Sequence, residues 1–251
     1  MPHEGRQVQR RRKKRRNPII SILSVLLICG ALLLGISVFF KISVIKVEGN
    51  TRYSQEQIIS ASGINIGDNL FFVNKFDAIS KIFKSLPYID EVKISRDLPN
   101  ILKIEVAETE AIAYVRSGES FWLIDSSCKL LEKVSSDAAT GINIIGLTPI
   151  QPVAGQKIEP GEAQKPKVAY IESLLNELIG RDMLSEVTYI DVTDIGGLIF
   201  DYRGRFKVKM GKNENISHKL DMLSKSIEYL NPVVTGTIDL TQNKEGHFIS
   251  D

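Results

Sequence analysis

The chain has 251 residues with 32 basic and 30 acidic side chains, and the charge is unevenly distributed along it. Residues 1–16 hold eight of the basic side chains and one acidic side chain, so the rest of the chain has 24 basic and 29 acidic residues and lacks a polyanion-binding signature. The only cysteines, Cys29 and Cys128, are too few for a disulfide framework or a thiolate metal site.

Residues 18–40 form an apolar run without a single charge. As a helix the run would be about 34 Å long, which is enough to cross a hydrocarbon core of about 30 Å. A cleaved signal peptide usually has an apolar core of only about 7 to 15 residues and ends at small side chains, whereas this run ends at Phe39 and Phe40. The sequence therefore predicts a retained transmembrane helix over residues 18–40.

Seven consecutive cations precede the predicted transmembrane helix: Arg10, Arg11, Arg12, Lys13, Lys14, Arg15 and Arg16. Segments rich in Lys and Arg stay on the cytoplasmic side of a membrane. The sequence therefore predicts a cytoplasmic basic arm over residues 1–17, with residues 41–251 on the outer side. A nucleic-acid-binding arm and contact with anionic lipids are the alternatives, and orientation with lipid contact is the simpler interpretation beside a spanning helix.

Two short helices are predicted after a first strand over residues 42–47, which ends at a Gly-Asn turn. Ser54 and Gln57 have the spacing of a capping box at the start of the first helix. Asn74 can cap the second helix, whose apolar side chains fall on one stripe: Phe76, Ile79, Ile82, Phe83 and Leu86. Alternating residues on both sides of the turn at 97–100 then predict two paired strands.

This β-α-α-β-β order resembles a POTRA domain, which we expect over residues 41–110. The residues that carry the resemblance are Ile45-x-Val47-x-Gly49-Asn50, Leu86-Pro87-Tyr88-Ile89 and Val92-x-Ile94-x-Arg96-x-x-Pro99-x-x-Leu102-x-Ile104-x-Val106-x-Glu108. Directly after a basic arm and one spanning helix, they resemble the DivIB/FtsQ family of bacterial cell-division proteins. That family usually continues Glu-x-x-Pro-x-Ala, and this chain has Ala111 in place of the proline.

Residues 111–245 are predicted to form a β-rich α+β domain. Hairpins are expected around the Ser-Gly-Glu turn at 117–119 and around 125–128, where Cys128 stands at a position that is commonly a turn glycine in the family. Further strands are predicted at 142–145, 187–192, 198–202 and 206–210, and helices after Pro166 and after a cap at Asn215 or Ser217.

The apolar stripe of the last predicted helix consists of Ile216, Leu220, Leu223, Ile227 and Leu230. The stripe predicts a core-facing helix, although the same spacing suits a partner helix. Asn231-Pro232 should end it. A second resemblance to the family lies here, in Val208-x-Met210-Gly211, Lys219-Leu220-x-x-Leu223 and Ile238-Asp239-Leu240. The predicted fold class is thus α+β, with a transmembrane helix, a POTRA domain and a β-rich domain.

Catalytic motifs are missing from the sequence. The histidines are His3, His218 and His247, and no zinc-protease, nucleophile-elbow, Cys-x-x-Cys or phosphate-loop spacing occurs. A metal site assembled in space and a carboxylate pair for glycan hydrolysis remain alternatives. We expect a binding protein with no catalytic residues, no cofactor and no metal.

Sheet edges are the candidate binding sites, because their free backbone groups can accept a partner strand. The first candidate edge is the strand that contains Val92 and Ile94. The second is residues 246–251, a partner-binding strand or tail with the candidate residues His247, Phe248, Ile249 and Ser250. The family resemblance implies that a partner docks on this last strand, with Phe248 and Ile249 as anchors. A frayed terminus is the alternative.

The resemblance implies a non-catalytic scaffold of the bacterial division machinery, anchored in the cell membrane at the septum. Its partners would be small single-pass coiled-coil division proteins of the FtsL and FtsB/DivIC type, and it would help to control septal peptidoglycan synthesis. No nucleic acid and no small-molecule substrate is expected. The alternatives are a membrane-anchored cell-wall hydrolase and a POTRA-type chaperone, although such chaperones carry several POTRA units and a membrane barrel.

Overall fold

The computed structural model describes residues 18–231, 233–242 and 246–250. The predicted basic arm, with the cations at 10–16, lies outside the described residues, as does Pro232, the predicted end of the last helix.

The first described element is one long apolar helix, α1 (Pro18–Phe39). Its large apolar side chains, among them Leu23, Leu27 and Leu34, are exposed. The helix is long and apolar enough to cross a membrane by length and composition. It ends one residue before the predicted end at 40, and Ile42 begins the packed core that follows.

A small unit follows α1, and it has the predicted order of elements. These elements are β1 (Val44–Glu48), α2 (Gln55–Ser62), α3 (Lys75–Ser85), β2 (Ile89–Asp97) and β3 (Ile101–Glu108). The sheet order is β1-β3-β2, with β1 parallel and β2 antiparallel to β3. Both helices pack against the sheet, so that Ile58 and Ile82 share one core with Leu102 and Ile104.

Both predicted helix caps of the small unit are present. The Gln57 backbone N–H donates to Ser54 Oγ (3.2 Å), and the Ser54 N–H donates to Gln57 Oε1 (2.8 Å), which completes the capping box. The Asp77 N–H donates to Asn74 Oδ1 (3.3 Å). The prediction that Phe76 faces the core is wrong, since its side chain is 86% exposed. Ala78 fills the inward position of this first turn, and two residues correspond to a rotation of about 200° around a helix.

A large unit contains a nine-stranded sheet. Its strands are β4 (Ala113–Ser117), β5 (Ser120–Ile124), β6 (Leu130–Val134), β7 (Ile142–Ile145), β8 (Val187–Asp191), β9 (Leu198–Tyr202), β10 (Phe206–Gly211), β11 (Gly236–Asp239) and β12 (His247–Ser250). They lie in the order β12-β11-β10-β9-β8-β7-β4-β5-β6. The last described strand, β12, therefore lies at one end of the sheet.

Two helices, α4 (Lys165–Gly180) and α5 (Ile216–Glu228), pack against this sheet. The stripe of α5 faces the core, as predicted: Ile216, Leu220 and Leu223 are buried. The cap of α5 lies at a predicted residue but lacks the predicted side-chain hydrogen bond. Asn215 occupies the cap position in a left-handed conformation and makes no side-chain cap, and Ser217 Oγ instead accepts a hydrogen bond from Arg181 (2.6 Å).

Cys128 lies in the turn between β5 and β6 with φ at +59°, a conformation that favours glycine. Asp125 Oδ1 holds the turn by accepting hydrogen bonds from the Ser127 and Lys129 N–H groups, both at 2.9 Å. Burial raises the pKa of the Cys128 thiol to about 12. The thiol is therefore protonated at neutral pH and is unsuited to nucleophilic chemistry.

The two units are joined by packing and by a buried lysine. Tyr88 of the small unit forms an apolar cluster with Leu123 and Leu131 of the large unit. Lys129 Nζ crosses the boundary and donates to the Ile89 carbonyl (3.0 Å), with Asp90 Oδ1 at 3.3 Å and Asp125 Oδ2 at 3.7 Å.

Candidate partner-binding edges

The C-terminal strand β12 lies at the end of the large sheet. It pairs antiparallel with β11, so that Phe248 is opposite Ile238 and Ile249 is opposite Thr237. β11 in turn pairs parallel with β10 in the middle of the core. Residues 247–250 thus form a paired strand and not a frayed terminus. An edge strand carries backbone groups that a further strand can bind.

Phe248 fixes β12 to the core. Its half-buried ring packs against the large core and meets the Phe206 ring edge to face, with 6.3 Å between the centroids. Gly236 makes room for it, because a Cβ there would lie 2.9 Å from the Phe248 ring. Phe248 therefore holds the strand from inside and leaves little of its own surface for a partner.

The outward side chains of β12 are mixed in character. Ile249 is 56% exposed, and His247 and Ser250 are exposed beside it. Asp239 of β11 lies opposite His247. Partial burial of the Asp239 carboxyl raises its pKa, but hydrogen bonds from Thr241 Oγ1 (2.7 Å) and the Thr241 N–H (2.9 Å) have the larger effect. The pKa of this carboxyl is therefore lowered. The edge therefore offers one apolar side chain beside a fixed carboxylate.

The other end of the large sheet is covered in part. The Leu130 N–H of β6 donates to the Gln156 carbonyl (2.8 Å), and the Leu130 carbonyl accepts from the Gly155 N–H (2.7 Å). The loop at 155–158 thus lies along the start of this edge, and a covering loop is a common protection for an edge strand. Of the two ends of the large sheet, β12 is the more accessible.

The second predicted site, β2, is an edge of the small sheet, but its two candidate side chains face inward. Ile94 is buried, and Val92 is partly buried against the same core. Only the backbone of these two residues can therefore face a partner. β1 is the opposite edge of this sheet, which was not predicted as a binding edge from the sequence.

Lysine side chains already occupy part of the β2 edge. Lys75 Nζ donates to the Ile94 carbonyl (2.7 Å), and Lys129 Nζ donates to the Ile89 carbonyl. The pKa of Lys75 is lowered, first by burial and then by the charge of Arg96. No local pattern in the sequence indicated these contacts, because both lysines reach β2 from distant segments.

A cleft of about 640 Å³ lies between the two units. Its wall includes Arg52, Tyr88, Glu108, Glu110, Leu123 and Glu132. Partial burial of Glu108 opposes ionisation, yet hydrogen bonds from Thr51 Oγ1 and from the N–H groups of residues 51–53 lower its pKa. A general acid for glycan hydrolysis needs a raised pKa, so Glu108 is unsuited to that role.

Within the ranges that the structure describes, no three His, Cys, Asp or Glu side chains are placed to hold a metal ion. His218 and His247, the two histidines inside those ranges, lie on α5 and β12.

Comparison with known proteins gives matches over most of the chain. Residues 40–109 match the family model described as a POTRA domain of the FtsQ type. The cell division protein DivIB of Clostridium botulinum strain Hall is 31% identical over 219 residues, which cover 86% of this chain and 82% of that protein.

Two further relatives extend the match beyond one species. DivIB of Clostridium acetobutylicum is 31% identical over 222 residues, covering 88% of this chain and 87% of the relative. The cell division protein FtsQ of Corynebacterium glutamicum is 23% identical over 212 residues, covering 82% and 89%. The POTRA match coincides with the small unit, and the matches to the relatives are long enough to extend into the large unit. The chain therefore belongs to the DivIB/FtsQ family of bacterial cell division proteins.

Proposed function

We propose that this chain is a non-catalytic, membrane-anchored scaffold of the division machinery. α1 crosses the cell membrane at the septum, the cations at 10–16 keep the N-terminus in the cytoplasm, and both folded units lie outside. A non-catalytic role is supported at Glu108 of the cleft, because its hydrogen bonds lower the pKa of the carboxyl and disfavour it as a proton donor.

The observation that carries the proposal is the position of β12 at the accessible end of the nine-stranded sheet. A small coiled-coil protein of the FtsL or FtsB/DivIC type would add an extended segment next to β12 and form backbone hydrogen bonds with it. Ile249 would pack against an apolar side chain of that segment, while Phe248 keeps the strand in register. Binding would recruit the partner and couple it to control of septal peptidoglycan synthesis.

The test is binding of the full chain, in lipid nanodiscs, to the outer segments of the small single-pass division proteins. Three variants are compared with it: a chain that ends at Glu245, Ile249→Asp, and Ile145→Asp as a matched control. Ile145 is also a partly exposed isoleucine of the same sheet, at 39%, but it lies on the interior strand β7.

We expect the truncation to abolish binding and Ile249→Asp to weaken it at least about tenfold, which corresponds to about 1.4 kcal/mol. Ile145→Asp should bind like the unchanged chain. Full binding by the truncated chain would move the site away from β12, and β2 would be the next edge to test. If no version binds any such segment, the scaffold proposal fails.

A further inference from the structure

Large apolar side chains are exposed on the small unit directly beside the end of α1. They are Ile66, Phe71, Phe72 and Phe76, which are 70%, 43%, 66% and 86% exposed. We call these four residues the loop patch. Three belong to the loop between α2 and α3, and Phe76 belongs to the first turn of α3. Four such side chains within eleven residues are a concentrated apolar surface, and such surfaces usually mark a contact.

Hydrogen bonds tie this loop to the last turn of α1. Asn69 Nδ2 donates to the Ile36 carbonyl (2.8 Å), which also accepts a longer hydrogen bond from the Phe40 N–H (3.3 Å). The Leu70 N–H donates to the Phe40 carbonyl (2.8 Å), and the rings of Phe40 and Phe71 meet edge to face at 4.9 Å. The loop therefore stays at the end of α1.

The loop has a fixed conformation that keeps these rings exposed. Leu70 is completely buried in the core of the small unit. Arg96 Nε donates to the Leu70 carbonyl (2.6 Å), and the Phe71 N–H donates to Asn69 Oδ1 (2.9 Å). Because the backbone is held at these points, Phe71 and Phe72 cannot turn inward without breaking buried contacts.

Distance decides what can cover the loop patch. α1 has 22 residues and is about 33 Å long, so its end lies near the edge of a hydrocarbon core of about 30 Å. Phe72 is three positions after Asn69, so their Cα atoms are at most about 11 Å apart. The head-group layer is about 5 to 8 Å thick on each side of the core. Phe72 is therefore within reach of this layer.

The character of the surface also fits a lipid interface. Phe39 is exposed at the end of α1, and the ring of the next residue, Phe40, contacts the Phe71 ring. The apolar surface of the helix is therefore continuous with the loop patch. Lys41 is exposed at the same level and can face lipid phosphates. Aromatic and cationic side chains are typical of segments that lie in the head-group region.

We infer that the loop at 65–73 and the first turn of α3 rest on the bilayer that holds α1, with Phe72 and Phe76 inserted between the lipid head groups. The inference rests on the proposed membrane anchoring. It adds a second attachment beside the helix, so the small unit has a fixed orientation to the membrane surface and does not pivot freely about the end of α1.

Depth-dependent fluorescence quenching in phosphatidylcholine nanodiscs tests the inference on the full chain. An environment-sensitive thiol label is placed at position 72 in Cys29→Ser/Phe72→Cys and at position 229 in Cys29→Ser/Tyr229→Cys. Tyr229 is 89% exposed and belongs to the large unit, which makes it the matched control. The unchanged chain labelled at Cys29, near the middle of α1, is the depth reference. Cys128 is fully buried and stays unlabelled.

The label at 72 should be quenched more strongly by lipids brominated near the head group than by lipids brominated at the chain end. The lipids brominated near the head group should also quench the label at 72 more strongly than the label at 229. The label at 29 should show the opposite depth preference. Equal, weak quenching at 72 and 229 beside strong quenching at 29 would overturn the inference and leave the anchor intact. No quenching at 29 would remove the anchor, and the inference with it. A label at 72 that is shielded only when a second membrane protein is added would also overturn it.

Discussion

Glu108 connects the end of β3 to the segment that precedes α2. Its two carboxylate oxygens accept hydrogen bonds from Thr51 Oγ1 (2.5 Å) and from the N–H groups of Thr51 (3.0 Å), Arg52 (2.7 Å) and Tyr53 (3.2 Å). Partial burial raises the pKa of this group, and the hydrogen bonds more than offset that effect. One side chain therefore holds three consecutive backbone donors beside the boundary between the two units.

Glu108→Gln should destabilise the protein at neutral pH and make its stability less sensitive to acid. A glutamine amide has an NH₂ group in place of one carboxylate oxygen, and this group cannot accept hydrogen bonds from the backbone N–H groups of residues 51–53. The loss lowers the free energy of unfolding by about 1 kcal/mol at a partly exposed site. Because the folded-state pKa is lowered, the stabilisation by Glu108 is present above its ordinary pKa of about 4.3 and is lost as the pH falls through the folded-state value. Urea unfolding between pH 7 and pH 3, followed by the fluorescence of Trp122, measures both effects.

The control for this change is Glu110→Gln, since Glu110 is exposed and lies two residues further along. We expect it to alter the free energy of unfolding by less than about 0.5 kcal/mol. If the unchanged chain and Glu108→Gln lose stability equally on acidification, the hydrogen bonds to Glu108 do not favour its charged form.

At the scale of elements, β12 depends on a glycine in the neighbouring strand. Gly236 is opposite Ser250, and a Cβ there would conflict with the Ile249 carbonyl and lie 2.9 Å from the Phe248 ring. The strand that we propose as the binding edge can therefore be displaced by a substitution that touches no partner.

Gly236→Ala should loosen β12 and weaken partner binding while the rest of the sheet stays folded. The added methyl group overpacks the site, which costs about 1–3 kcal/mol. We therefore expect amide hydrogen exchange at 247–249 to become at least about fivefold faster. Thr235→Ala, at an exposed neighbour, is the control and should leave exchange unchanged. Unchanged exchange in Gly236→Ala would show that β12 does not need this close approach.

The sequence allowed the elements to be predicted where local patterns decide them. The capping box at Ser54 and the stripe of α5 are confirmed because both depend on neighbours within one or two helical turns. The direction of Phe76 and the contact of Lys75 with β2 were missed because they depend on where α3 lies against the sheet. The candidate edge at β12 came from family resemblance, since its pairing partner is set by the tertiary fold.

At the scale of the whole molecule, the proposed membrane contact and the proposed binding edge lie in different units. The contacts between the units therefore decide whether the orientation of the small unit at the membrane is transmitted to β12. Lys129 is central to these contacts, because its buried Nζ joins the Ile89 carbonyl and Asp90 of the small unit to Asp125 of the large unit. A rigid connection requires this lysine to remain paired.

Lys129→Met should destabilise the protein by about 3 kcal/mol, because methionine fills the space but leaves the buried Asp125 carboxylate without its cation. Asp125 Oδ2 has no hydrogen-bond donor among the residues that the structure describes, so the lysine is its main compensation there. The double variant Lys129→Met/Asp125→Asn removes the unpaired charge and should recover part of the loss. Urea unfolding of the unchanged chain, Lys129→Met, Asp125→Asn and the double variant measures the coupling between the two residues. Equal destabilisation by Lys129→Met and by the double variant would mean that the unpaired Asp125 charge is not the cause of the loss.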